Sequence, residues 1–415
     1  MQNNARITTS LSLHEVLKPA PFGAERSITV ASTPLNIDDL LAVTVERGAS
    51  DLHLTAGSPP VIRVNGRLER LADRDKVTPD ESRTLLYRIL STEQQKLLET
   101  RRQLDFSYSV PGLARFRVNT YFQRTSVGAA FRMIPAQIKP LEELGMPTRL
   151  YELAEKPRGL VLVTGPTGSG KSTTLASLID HVNSTRHEHV LTIEDPIEFL
   201  HWHRTCIVNQ REIGPDATSF AEALRSALRQ DPDVILVGEM RDLETVATAL
   251  TAAETGHLVF ATLHTQSAPS TIDRIIDVFP AEQQGQVRVQ LASTLQGIVT
   301  QNLVPTADGA GRTAALEILM PDDAVRNLIR QAKIEQIYSV MQTSTSRGMQ
   351  TMEQSLADLV TRGVITPVVA FSRSSRPDQL QGLLERAGIT NLPSTNDHAG
   401  QTTPPGNGLR LATEV

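Results

Sequence analysis

The stretch Leu160-Val161-Leu162-Val163-Thr164-Gly165-Pro166-Thr167-Gly168-Ser169-Gly170-Lys171-Ser172-Thr173 constrains this chain more than any other. Its apolar start reads as a fully buried strand. The strand runs straight into G-x-x-x-x-G-K-S, and helix-compatible residues follow from Thr174 to Ile179. Strand, glycine-rich loop and helix in that order make a P-loop, which commits this part of the chain to an α/β sheet. Gly165, Gly168 and Gly170 free the backbone to curl, so that its N–H groups point inward at a phosphate chain. Lys171 reaches the β- and γ-phosphates, and the Ser172 hydroxyl can hold Mg²⁺. The positive N-terminal end of the helix adds to the attraction.

The surrounding pattern extends that commitment. From Gly159 buried strands alternate with helices: Leu160–Thr164, Val190–Ile193, Val234–Val237 and Leu258–Thr262, with helices at Ser172–Asn183, Ser219–Gln230 and Leu243–Glu254. This is a mainly parallel α/β sheet with the P-loop after its first strand. Ala281–Val299 and Asp322–Gln331 continue as helices, and the P-loop domain is expected over 159–376. Upstream, 35–135 mixes helices (Ile37–Arg47, from Thr78, Thr92–Glu99) with strands (Asp51–Thr55, Leu104–Val110, Ala114–Gln123, Ser126–Ile134) without βαβ regularity. Val61–Val64, Asn65-Gly66 and Arg67–Leu71 form a hairpin signal within it. The expectation is a small α+β domain. Prolines 135, 140, 147 and 157 mark 136–158 as a linker with a short helix. Residues 1–34 read as a mobile extension in which Ser12–Leu17 is a candidate helical turn, and 377–415 as a short helix (Asp378–Arg386) and a disordered tail.

Composition excludes several function classes. A formal net charge of -5 argues against a general polyanion binder, and 4% aromatic residues leave few stacking platforms for single-stranded nucleic acid. One cysteine, Cys206, excludes an internal disulfide framework and a multi-cysteine zinc site, and fits a reducing compartment. No apolar run reaches the roughly 18 residues of a transmembrane helix, and MQNNARITTS lacks the apolar core of a signal peptide. The expectation is a cytosolic protein.

Three further clusters carry chemistry. Glu194-Asp195-Pro196-Ile197-Glu198 ends the second core strand, at the sheet edge where phosphates sit. Carboxylates there can hold Mg²⁺ through water or polarise an attacking water. Val234-Ile235-Leu236-Val237-Gly238-Glu239 resembles a Walker B strand, but Gly238 stands where the metal-holding Asp is usual. Glu194 and Asp195 are the available substitutes. Ala261-Thr262-Leu263-His264-Thr265 places His264 at the end of the fourth core strand, where an imidazole can hydrogen-bond a γ-phosphate. Arg115, Arg117, Arg124 and Arg132, on predicted strands of the small domain, are candidate cations for a site built between domains or subunits.

Taken in order, the P-loop, acidic box, Gly-Glu Walker B and His box resemble the secretion ATPase superfamily, most closely the PilT-type twitching-motility ATPases that retract type IV pili. The match spans about residues 36–372 and includes Ala49–Leu54, Gly165–Thr173, Thr192–Phe199, DPDVILVGEMRD at Asp231–Asp242 and Ala261–Thr265. Ala324–Gln331 looks like the retraction motif AIRNLIRE, with Val325 for Ile and Gln331 for Glu. The resemblance implies a PAS-like N-terminal domain, a RecA-like motor domain and a homohexameric ring with ATP and Mg²⁺ at domain interfaces. It implies Glu198 as the catalytic glutamate, Glu239 as the Walker B glutamate and His264 as the His-box residue, with Arg117 and Arg132 approaching the nucleotide. It also implies a pilus platform protein of the inner membrane as partner, with the chain peripheral at the cytoplasmic face. Relatives that drive pilus assembly or type II secretion usually carry a four-cysteine metal insert, which one cysteine rules out. An assembly or secretion ATPase, an accessory retraction paralogue and a nucleic-acid translocase are the alternatives.

Overall fold

The computed structural model describes residues 35–64, 66–135, 137–389 and 392. The expected N-terminal extension with Ser12–Leu17, Asn65 of the hairpin turn and the tail from 393 lie outside them. The first unit starts with α1 (Ile37–Glu46), whose N-cap Asn36 accepts the Asp38 N–H. Strands β1 (Asp51–Leu54), β2 (Val61–Val64) and β3 (Arg67–Arg70) follow. Next come α2 (Pro79–Arg88) and α3 (Thr92–Arg101), each opened by a capping box, Thr78 with Glu81 and Ser91 with Gln94. Strands β4 (Gln103–Val110), β5 (Ala114–Gln123) and β6 (Ser126–Ile134) complete it. The sheet order is β3-β2-β1-β6-β5-β4, with every pairing antiparallel. Leu52, Leu54, Ile62, Phe116, Val118 and Phe131 bury one face of it in a core shared with Leu40, Leu41, Leu86 and Leu98 of the helices.

The opposite face is polar, and the register makes it informative. Arg63, Asp51, Arg132, Arg117 and Ser107 line up as one row across β2, β1, β6, β5 and β4. Arg124 is not on a strand as expected; it sits in the β5–β6 turn at φ 45°.

The segment after β6 is more than a connector. It holds the expected short helix, α4 (Tyr151–Ala154), but Leu141, Met146, Leu150 and Leu153 are buried against the second sheet. That sheet is built from β7 (Gly159–Thr164), β8 (His189–Glu194), β9 (Ile207–Glu212), β10 (Val234–Val237), β11 (Leu258–Leu263), β12 (Leu295–Pro305) and β13 (Arg312–Leu319). Their order is β13-β12-β7-β11-β10-β8-β9, parallel except for the β12–β13 pair. Helices α5 (Lys171–Thr185), α6 (Phe220–Ala227), α7 (Leu243–Glu254), α8 (Ala268–Asp277) and α9 (Ala281–Thr294) cover its two faces. The chain closes with α10 (Asp323–Arg330), α11 (Ile337–Thr343), α12 (Met352–Thr361), α13 (Pro367–Arg373) and α14 (Pro377–Arg386).

One helix ends earlier than its apolar pattern suggests. The helix expected over Ala281–Val299 stops at Thr294, and Leu295 onward is a strand paired with β7. Ile298, Val299 and Thr300 are β-branched and fit a pleated buried surface better than a helix. The basic side of α10, the helix that carries the AIRNLIRE-like stretch, is only partly free. Val325 and Ile329 are buried, and Arg326 donates to the carbonyls of Ala292 and Ser293, which caps the C-terminus of α9. Arg330 remains exposed.

Candidate nucleotide-binding site

β7, β8, β10 and β11 are parallel neighbours, so their carboxyl ends open on one edge of the sheet. β7 delivers the P-loop there. Gly165, at φ 138°, passes so close to β12 that a Cβ would lie 2.2 Å from the Gln301 carbonyl oxygen and 2.7 Å from Ser169 Oγ. Gln301 holds the loop from below, with Nε2 donating to the Ser169 carbonyl (2.6 Å) and Oε1 accepting from Thr174 Oγ1 (2.9 Å). Lys171 Nζ donates to the carbonyls of Gly165 (2.9 Å) and Pro166 (3.1 Å), which keeps the ammonium over the loop. Burial lowers the Lys171 pKa, while Glu239 and Glu198 pull it back up.

The acidic loop stands across a cleft of about 420 Å³ from the P-loop. Thr167, Gly168, Gly170 and Lys171–Thr173 line one side, and Glu194, Asp195, Glu198, Glu239 and His264 the other. Sequence-predicted residues from four strand ends therefore meet in one cavity. Their roles differ. Glu194 Oε1 accepts from Thr192 Oγ1 (2.7 Å) and Gln210 Nε2 (3.1 Å), and its Oε2 faces the Glu198 N–H at 3.4 Å. Burial pushes its carboxyl pKa up, so Glu194 works best as a fastener for the loop. Asp195 and Glu198 are exposed to the cleft.

Glu239 is held by two neighbours. His264 Nε2 lies 3.1 Å from its Oε1, and Arg241 donates to its Oε2 at 2.7 Å. Burial raises its pKa, but the hydrogen bonds and charges of Arg241 and His264 outweigh burial and hold it below the usual carboxylate value. Gly238, in the place of the usual Walker B aspartate, sits close against the acidic strand. A Cβ there would lie 3.1 Å from the Ile193 carbonyl oxygen and 3.3 Å from Glu194 Cα, so a side chain would press on the acidic strand by a few tenths of an ångström.

The donor set suits Mg²⁺, a hard ion that keeps several waters and takes one or two carboxylates beside phosphate oxygens. Ser172, Asp195, Glu198 and Glu239 present only oxygen donors to the cleft. Arg117 and Arg132 are not brought to it within the chain. Arg132 Nε pairs with Asp51 Oδ1 at 2.9 Å, and Arg117 borders a second cleft between the two units. Both are exposed and directly opposite each other, a like-charged pair whose repulsion Asp51 relieves on one side only. No motif in the sequence points to Phe220, Leu303 and Arg312, which also line the cleft, or to Gln301 beneath it. Leu303 and Gln301 belong to β12, whose first five residues, up to Val299, fall within the helix expected over Ala281–Val299; the β-branched run at Ile298–Thr300 is the signal for a strand.

The chain matches the family model described as Type II/IV secretion system protein over residues 30–370. It is 52% identical over 344 residues to the type IV pilus retraction ATPase PilT of Pseudomonas aeruginosa, covering 83% of this chain and 99% of that protein. It is 51% identical over 321 residues to a twitching motility protein of Neisseria gonorrhoeae, covering 77% and 86%. The crystal structure of the pilus retraction motor PilT with bound ADP superposes with a TM-score of 0.79 at 52% identity, covering 84% of this chain and 99% of that one.

Proposed function

This chain belongs to the Type II/IV secretion system protein family, and from that premise we propose that it is an ATPase that drives type IV pilus retraction and, through it, twitching motility. The observation that carries the direction of work is the near-complete cover of a retraction ATPase, 99% of its length at 52% identity. Assembly and secretion ATPases with a four-cysteine insert fit a chain with one cysteine less well.

The residues divide the chemistry as follows. Backbone N–H groups of the loop from Gly165 to Gly170, with Lys171, hold the β- and γ-phosphates of ATP. Ser172 and the exposed carboxylates of the cleft would hold Mg²⁺, which would supply positive charge against the phosphate oxygens. Glu198, exposed to the cleft, orients a water and accepts its proton. Glu239, fixed by His264 and Arg241, positions the groups around the γ-phosphate. Arg117 and Arg132 are cations for a nucleotide held by a neighbouring copy, which favours a homohexameric ring. In this reading the two units are PAS-like and RecA-like. The ring docks on a platform protein at the cytoplasmic face of the inner membrane; no described helix is long and apolar enough to cross a membrane.

Deleting the encoding gene tests the proposal. Retraction predicts cells with excess pili and no twitching, restored by the wild-type chain and not by Glu198→Gln. Loss of pili on deletion would assign the chain to assembly instead.

A further inference from the structure

Glu212 is the last residue of β9, and no sequence motif points to it. It is 4% exposed. Its carboxylate collects donors from two directions. From the small domain, Ser107 Oγ reaches both oxygens (2.8 and 3.0 Å) and Arg115 Nη2 reaches Oε2 (2.9 Å). From the acidic loop, the backbone N–H of Ile197 reaches the same Oε2 (3.3 Å). Ile197 immediately precedes Glu198.

The loop is therefore fastened at two points. One lies within the motor sheet, where Glu194 Oε2 faces the Glu198 N–H. The other is Glu212, which the small domain shares. The loop is also a wall between cavities: Asp195 and Pro196 line both the nucleotide cleft and a cleft of about 510 Å³ between the two units. Ser107, Arg117 and Glu212 line the second. Ser107 is the cross-strand partner of Arg117, and Arg115 lies two residues along the same strand.

We propose that Glu212 is a positioning residue, a latch through which seating of the small domain on the motor domain, by Ser107 and Arg115, sets the place of Glu198 beside the nucleotide. A buried carboxylate left without Ser107 and Arg115 is costly, so it turns toward water or other donors when the small domain lifts away. Either movement loosens the Ile197 N–H and the loop with it. Because Ser107 and Arg115 flank Arg117, a pull on Arg117 from outside the chain reaches the latch directly. The inference rests on the assignment of Glu198 as the base.

The test uses the full-length chain, with kcat and KM for ATP and the Kd for ADP measured for each variant. Ser107→Ala/Arg115→Ala and Glu212→Ala each lower kcat about tenfold or more, because a small misplacement of a catalytic group is costly. ADP affinity stays within about threefold, since the P-loop is untouched. The triple variant loses no more than Glu212→Ala alone, because all three residues act through one link. Ser107→Thr, which keeps the hydroxyl, restores turnover. Wild-type kcat in the double variant, multiplicative losses in the triple variant, or ADP affinity falling in step with kcat each overturns the latch. If Glu212→Ala does not fold, Ser107→Ala alone decides: it lowers kcat with ADP affinity intact, or the latch is wrong. Glu198→Gln separates the two claims. Wild-type turnover in Glu198→Gln removes the base assignment, whereas an inactive Glu198→Gln beside fully active latch variants removes the latch alone.

Discussion

Replacing Gly165 with alanine tests how the P-loop is held. The new Cβ would lie 2.2 Å from the Gln301 carbonyl oxygen, a backbone atom in β12 that no rotamer change can move aside. Relief requires the loop and β12 to separate by about 1 Å, an overpacking that costs about 1–3 kcal/mol. The backbone at φ 138° adds strain of about 1–3 kcal/mol for a residue with a side chain. The sum is about 4 kcal/mol at mid-range. Gly168→Ala is the control. Gly168 has φ 76° with no atom within 4 Å of a Cβ, so only a left-handed penalty of about 1–2 kcal/mol applies. At about 2–4 °C per kcal/mol for a domain of this class, the melting temperature falls by about 8–16 °C for Gly165→Ala and about 2–8 °C for Gly168→Ala. Thermal melts followed by circular dichroism read both. Equal shifts, or a shift below about 3 °C for Gly165→Ala, would refute the clash with β12 as the constraint on the loop.

Three other outcomes follow from the same geometry. Ligand that binds only the assembled site favours assembly by mass action, so light scattering at working concentration shows a ring whose population rises with nucleotide; a monomer at all nucleotide concentrations contradicts the placement of Arg117 and Arg132 at a neighbour's site. Arg326→Glu loses the α9 cap and lowers stability by about 1–3 kcal/mol, whereas Arg330→Glu, at an exposed position, stays within about 0.5 kcal/mol and keeps ATPase activity while abolishing twitching; denaturant melts and motility assays distinguish them. Burial raises the Glu317 carboxyl to about 7, with Glu353 adding to the rise and the Ala268 and Met352 N–H groups and Arg376 opposing it. The folded chain then holds a proton that the unfolded chain releases above its ordinary value of 4.5, so this group's contribution falls by about 3 kcal/mol as pH rises from about 4.5 to 7 and is flat above. Glu317→Gln removes that fall, and an unchanged pH–stability profile in the variant would refute it.

The parts of the site that local pattern encodes were legible in the sequence. The P-loop is contiguous, and the apolar runs of β7, β8, β10 and β11 lead into Gly165–Ser172, Glu194–Glu198, Gly238-Glu239 and His264, which a parallel sheet must bring to one edge. The acidic loop and the Gly238-Glu239 substitution were read together, and the close approach of β10 to Glu194 accounts for the pairing. What escaped depends on distant partners. Gln301 matters because β12 runs beside β7, a pairing 136 residues apart in the Thr164–Thr300 contact, and the neighbouring helix pattern ran smoothly into it. Arg326 looked like surface charge because its targets are α9 carbonyls, which carry no side-chain signature. Prolines around Leu141 and Leu150 suggest a linker with a short helix, and the leucines there also cover the second sheet. Glu212 has no motif, since its meaning lies in where the small domain rests.

The most direct test of the central claim is ATP turnover by Glu198→Gln in the purified full-length chain, with nucleotide affinity measured on the same sample. The expected outcome is a loss of kcat of about 10²–10⁴-fold, the contribution of a positioned general base, with ADP affinity within about threefold of wild type. Wild-type turnover, with Glu239→Gln inactive instead, would contradict the division of roles on which the mechanism stands.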